Sequence, residues 1–261
     1  MINKESLYFK VKHNIDRYLN LEILNKKVRC PFAINIVERE FISLMSQSGI
    51  DKEKIEKVHS LYSNNKSKYG WYRGKGTPEQ IEEAFLSICK LQNFNITNSS
   101  PEGIRATMRN YGLGIDCSGF IYNVLLPAFE DLGMKDSFIK SLEWGDKDKT
   151  GASRASVDVF SGRASTVISD LNFLNNLDLV LMKNKEGSNN HMAIILKDKE
   201  MLKVVQSSLT MEPNGVRVDR MKLKNSIPRF EFQPNIGEDW NTLYANGQIE
   251  FRRLKILEEI N

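Results

Sequence analysis

The sequence predicts an α+β fold, helices first and an antiparallel sheet after, and two observations carry that prediction. Between residues 78 and 130 the apolar side chains recur at helical spacing, and from about 150 onward they fall into short β-like runs parted by polar turns. With 261 residues, 41% hydrophobic and 27% charged, the chain can bury a core without disulfide or metal staples.

Residues 1 to about 60 read as helical and irregular, with Ser63 to Ser67 as a polar loop. Tyr69 to Gly76 (YGWYRGKG) carries three glycines, which favour unusual backbone angles or the close approach of another segment. Thr77-Pro78-Glu79-Gln80 is a helix start: Thr77 caps, Pro78 sits where no amide is needed, and Gln80 reaches back. Ile81, Ala84, Phe85 and Ile88 form one face of that helix, and Cys89 beside them reads as a buried core thiol. Ser100-Pro101-Glu102 opens a short helix that Gly112 or Gly114 should end. A third helix runs from Cys117 to about Leu132, with Phe120, Ile121, Val124, Leu125 and Phe129 at core spacing and Pro127 expected to kink or end it. Strands follow at 177–182, 191–196, 202–207 and 215–218, joined by polar turns as in an antiparallel meander.

Composition excludes several classes. The three cysteines, Cys30, Cys89 and Cys117, are odd in number and far apart, so neither a disulfide framework nor a C-x-x-C zinc site is expected, and no metal or cofactor is. At least one thiol is then free, which suits a reducing compartment or a reactive role. The net charge of +4 is too small to argue for a nucleic-acid partner, since acids interleave with Lys26, Lys27, Arg29, Arg252, Arg253 and Lys255. The first residues, broken by charges, lack the pattern of a secretion signal, and no apolar run reaches transmembrane length. A cytoplasmic chain is the expectation, and action on an extracellular target would need another export route.

Chemistry concentrates at Cys117. A thiol is nucleophilic as thiolate, and Asp116-Cys117-Ser118-Gly119 puts the sulfur in the first turn of a helix, where free amides and the helix dipole favour negative charge. A lowered thiol pKa is therefore expected. His191 opens an apolar strand after a polar loop, so its ring can stand at a cleft; a cysteine and a histidine far apart in sequence are the usual constellation of a thiol hydrolase. Gln206, on the next strand and roughly opposite His191 in a hairpin, can orient the ring with its amide.

GIDCSGFIYNVL (114–125), NLDLVLMK (176–183) and HMAIIL (191–196) resemble, in order and spacing, the nucleophile motif, the Gly-Asp-Leu-Val strand and the histidine strand of the NlpC-type papain-like cysteine peptidases. The resemblance covers roughly residues 69 to 210. It implies a papain-like fold, with the nucleophile on a helix N-terminus packed against an antiparallel sheet. It also implies cleavage of amide bonds in peptidoglycan stem peptides, typically after γ-D-glutamate, through a thioester. Cys117 would attack, His191 shuttle the proton and Gln206 orient the ring. Asp116 and Ser118 would help hold a free amine of the substrate, and Tyr72, in a displaced version of the family's Tyr-x-x-Gly-Gly stretch, would assist near the oxyanion. The organisation expected is an N-terminal helical extension (1–68), a catalytic domain (69–220) and a C-terminal extension (221–261) that can pack on it. Amidase, acyltransferase or transamidase chemistry on another substrate stays open, as does a binding protein that keeps the fold; oligomeric state is not legible.

Overall fold

The computed structural model describes residues 3–33, 46, 51–64, 74–146, 150–198 and 201–260. The fold is α+β. Helix α1 (Lys4–Leu19) leads into a small hairpin, β1 (Leu21–Ile23) and β2 (Lys26–Val28). Helices α2 (Lys52–Asn64), α3 (Pro78–Gln92), α4 (Pro101–Asn110), α5 (Cys117–Glu130), α6 (Lys135–Ser141) and α7 (Val157–Phe160) follow. The remaining elements are β3 (Ser165–Val167), β4 (Leu179–Lys183), β5 (Asn189–Asp198), β6 (Met201–Ser208), β7 (Gly215–Lys224), β8 (Ile227–Phe230), α8 (Trp240–Ala245) and β9 (Ile249–Leu254).

The caps lie where local chemistry puts them. Thr77 and Gln80 form a reciprocal capping box on α3, and the Ser100 hydroxyl accepts from the Gly103 amide at the start of α4. Helix α5 runs through Pro127 to Glu130 rather than ending at the proline. Its buried face carries Phe120, Ile121, Val124, Leu125 and Phe129, and Cys89 of α3 is a buried free thiol.

The main sheet has seven antiparallel strands in the order β3-β9-β4-β5-β6-β7-β8. Strand alternation divides the core between its two faces. Met192, Ile194 and Val205 pack with the helices, while Ala193, Ile195 and Val204 pack with Phe230, Phe232 and Trp240 on the other side.

Both flanks expected as extensions belong to this architecture. Leu7, Val11, Ile15 and Tyr18 of α1 recur at helical spacing and are buried in the same cluster as α5, each such side chain contributing about 2 kcal/mol by area. Tyr18 and Asn14 hydrogen-bond to the carbonyls of Gly76 and Val124. At the other end, β7 crosses residue 220 without interruption, and β9 pairs with both β3 and β4. Arg253 on β9 reaches the buried Asp178 carboxylate, with its Nε 2.7 Å from Oδ1. The reason no boundary falls at 220 is the sheet itself: an antiparallel strand order is set by long-range pairing, which local composition does not record.

Gly119 in the first turn of α5 is needed for close approach. A Cβ there would lie 2.4 Å from the Gly74 carbonyl oxygen and 2.7 Å from Lys75 Cδ. Gly119→Ala should therefore destabilise the fold by about 2 kcal/mol, lowering Tm by roughly 5 °C in a thermal melt. Gly103→Ala inside α4, where the added carbon meets only ordinary contacts at 3.5 Å or more, should leave Tm unchanged or raise it. Equal losses from the two would contradict the close-packing account.

Candidate active site

Cys117 is the first residue of α5, and the segment before it is held from three sides. The Ile115 amide donates to the Pro31 carbonyl, the Asp116 amide to the Gly74 carbonyl, and the Ser207 hydroxyl to the Ile115 carbonyl at 2.6 Å. Gly114 has φ +154°, and a Cβ there would lie 2.2 Å from the Pro31 carbonyl oxygen, so only glycine fits this bend. Asp116 is the N-cap, its carboxylate accepting from the Gly119 amide at 2.6 Å.

The thiol then meets an opening in the sheet. Strands β5 and β6 pair from Asp198↔Met201 as far as Ile194↔Val205, and the ladder stops there. Beyond that point β5 pairs with β4, and β6 pairs with β7 out to Ser208↔Gly215. Into this gap comes the start of α5: Ser207 of β6 holds Ile115, and the Met192 amide of β5 points at the Cys117 sulfur. His191 is the chain neighbour of Met192, beside a register shift in the β4–β5 ladder, a device that re-aims side chains.

His191 heads a row of polar side chains on the sheet face opposite the helices. His191 Nε2 lies 2.8 Å from Gln206 Oε1, and Gln206 Nε2 lies 3.0 Å from Asp219 Oδ2. The Arg217 guanidinium grips the Asp219 carboxylate, with Nε 2.9 and 2.7 Å from its two oxygens. A carboxylate only accepts, so it fixes the Gln206 amide with nitrogen toward Asp219 and oxygen toward the imidazole. His191 must then carry its proton on Nε2, which leaves Nδ1 with a free lone pair. The Trp240 ring packs against His191 in a T-shaped contact, centroids 5.8 Å apart. Counting on from Ile194↔Val205, Gln206 falls opposite Ala193 rather than His191, and it reaches the ring diagonally where the strands have parted.

Lys75 is the residue that sequence reasoning missed on the helix side. Its side chain is 1% exposed, and its Nζ donates to Asp116 at 2.7–2.8 Å, to Ser118 Oγ at 2.7 Å and to the Ala155 carbonyl at 2.6 Å. Asp116 and Ser118, which the family resemblance assigns to a substrate amine, are thus engaged by an ammonium of the chain itself. Nothing local in GKGTP marks Lys75 as buried, because its partners lie 41 to 80 residues away. Asp219 escaped notice for the same reason. Tyr72 lies outside the described residues.

Protonation differs from the sequence expectation. Burial pushes the Cys117 thiol up to about 11; the Asp116 carboxylate adds to the rise, while Lys75 and the amides of Met192 and Ser118 oppose it. The helix start does favour thiolate, but with the residue 9% exposed the loss of hydration is the larger effect. Burial also lowers the His191 pKa below the usual imidazole value, against the Gln206 hydrogen bond, which raises it. The resting pair at neutral pH is therefore a thiol and a neutral imidazole, and no hydrogen bond joins them. Such an arrangement can transfer the thiol proton to His191 Nδ1 as an electrophile arrives, rather than storing a thiolate.

No protein-family model matches the chain, and neither a curated protein nor a solved structure matches it. Among the described residues no helix is long and apolar enough to cross a membrane.

Two outcomes are expected. Alkylation of Cys117 by iodoacetamide, followed by mass spectrometry of the modified peptide, should be slow at pH 7 and climb beyond pH 9 toward an apparent pKa of about 11. A rate that levels off below pH 8 would contradict the burial account. Gln206→Leu removes the bond that favours the charged ring, so the His191 pKa, followed by NMR titration, should fall further below its wild-type value.

Proposed function

We propose that the chain is a papain-like cysteine hydrolase of the NlpC type, cleaving amide bonds in peptidoglycan stem peptides through a thioester acyl-enzyme. The observation that supports the reading is a thiol at a capped helix start whose sulfur meets the amide of Met192, the chain neighbour of an imidazole held by an oriented amide. The Met192 amide at the sulfur and its neighbour His191 put both groups at the same gap in the sheet.

The chemistry follows from these groups. His191 Nδ1 takes the Cys117 proton as the sulfur attacks the scissile carbonyl. The carbonyl oxygen becomes an oxyanion, for which the Cys117 backbone amide in the first turn of α5 is the available donor, an interaction worth about 3 kcal/mol in such sites. His191 then gives its proton to the leaving amine, and a water, deprotonated by the same nitrogen, hydrolyses the thioester. Gln206 keeps the ring in the productive tautomer throughout. The stem-peptide substrate rests on the likeness of GIDCSGFIYNVL, NLDLVLMK and HMAIIL to the family's motifs.

Digestion of purified peptidoglycan and soluble stem peptides by wild type and Cys117→Ala, read by mass spectrometry, tests the reading. Cysteine-dependent cleavage of a stem amide is expected. His191→Ala should lower turnover by about 10²–10⁴, since it removes the base, and Gln206→Ala by clearly less. Equal losses would overturn the roles. Absence of cleavage together with transfer products in the presence of amine acceptors would move the reading to acyl transfer.

A further inference from the structure

Asp116 and Lys75 are the two charged side chains that act on the Cys117 sulfur, one disfavouring and the other favouring its charged form. Each is satisfied by the other and by the backbone around it. The three donors of Lys75 Nζ go to the Asp116 carboxylate, Ser118 Oγ and the Ala155 carbonyl. The Asp116 carboxylate also takes the Gly119 amide and the Ser118 hydroxyl. The lysine stem passes over Gly119, and Asn123 of α5 holds the carbonyls of Lys75 and Gly76 with its amide, so the ammonium is fastened in place at both ends.

From this geometry we infer that Lys75 fills the ammonium position beside the nucleophile, so that the site takes an acyl group whose nearest nitrogen is already an amide and discriminates against one bearing a free amine there. A substrate ammonium arriving at Cys117 would lose its hydration and find the adjacent carboxylate already neutralised, with a second ammonium behind it. An acylated nitrogen carries no charge to desolvate. The inference deepens the thiol-acyl reading and rests on it for the word substrate; the charge preference of the site itself does not depend on turnover.

The test uses two thiol reagents that differ in that one feature, 2-aminoethyl methanethiosulfonate and its N-acetyl derivative, each rate normalised to glutathione. Wild-type Cys117 should react at least roughly tenfold faster with the acetylated reagent. Lys75→Met, folded by thermal melt, should shift the ratio at least roughly tenfold toward the ammonium reagent, because Asp116 is then an unpaired carboxylate. Lys75→Met/Asp116→Asn should return it to the wild-type side. A wild-type preference for the ammonium reagent overturns the inference, as does an unchanged ratio in folded Lys75→Met. If the single variant does not fold, the wild type and the neutral double variant decide: both must favour the acetylated reagent. In parallel, stem peptides with a free and an acetylated amino terminus are offered to wild type, and the acetylated one should be cleaved faster. Cleavage of neither peptide with the reagent ratios as expected would defeat the hydrolase reading and leave the charge assignment standing; cleavage that favours the free amine would defeat the assignment and leave the hydrolase.

Discussion

The geometry around Cys117 depends on a buried ion pair between Lys75 and Asp116, and the cost of breaking it explains why so much else is fixed. Taking two charges out of water costs several kcal/mol for each ion unless every donor and acceptor is met. Here they are met by groups from three distant segments: the turn at 74–76, the first turn of α5 and the carbonyl of Ala155. Removing either charged partner leaves an uncompensated charge in a dry place, and removing the Ala155 carbonyl leaves one ammonium proton without an acceptor. Within the pair Lys75 opposes the field that Asp116 exerts on the sulfur, and burial is the largest influence on the thiol's resting state.

The sheet contributes the second constraint. Opening the β5–β6 ladder at Ile194↔Val205 strands backbone groups that a continuous ladder would have satisfied. The Met192 amide turns to the thiol and the Ser207 hydroxyl to the Ile115 carbonyl, so the helix start takes the place of the missing strand pairing. A gap of this kind lets a group carried on one face of the sheet come near a group carried on the other. It also keeps both partly dry, which is why the thiol rises, the imidazole falls and the two rest neutral.

What the sequence discloses divides along the same line between local and distant. The helix starts at Thr77 and Ser100, the cysteine at the head of α5 and the histidine on an apolar strand are all legible, because caps and periodicity act over a few residues. The His191–Gln206 contact is legible too, through the hairpin, although the exact register is not. Lys75 and Asp219 are not, since a lysine in a glycine-rich turn and an aspartate on a strand look like solvated residues until distant partners enclose them. The thiol's resting state differs from the sequence expectation for a related reason: the helix dipole can be read from position, whereas desolvation depends on what the rest of the chain lays over the sulfur. The insertion of β9 between β3 and β4 belongs to this group as well.

The chain beyond residue 210 therefore has a share in orienting His191 that its position in the sequence conceals. Asp219 and Arg217 on β7 determine which way the Gln206 amide faces, and Trp240 on α8 packs against the imidazole it serves. Without Asp219 the Gln206 amide could turn over and present its nitrogen to His191, which would favour the other tautomer and put the proton on Nδ1. The helical half of the fold thus carries the Cys117 thiol and the ion pair beside it, and the strands after it carry an imidazole with one defined free nitrogen. Neither half is closed without the other, since Met192, Ile194 and Val205 of the sheet share one buried cluster with the helices, and the start of α5 meets the strands where the ladder opens.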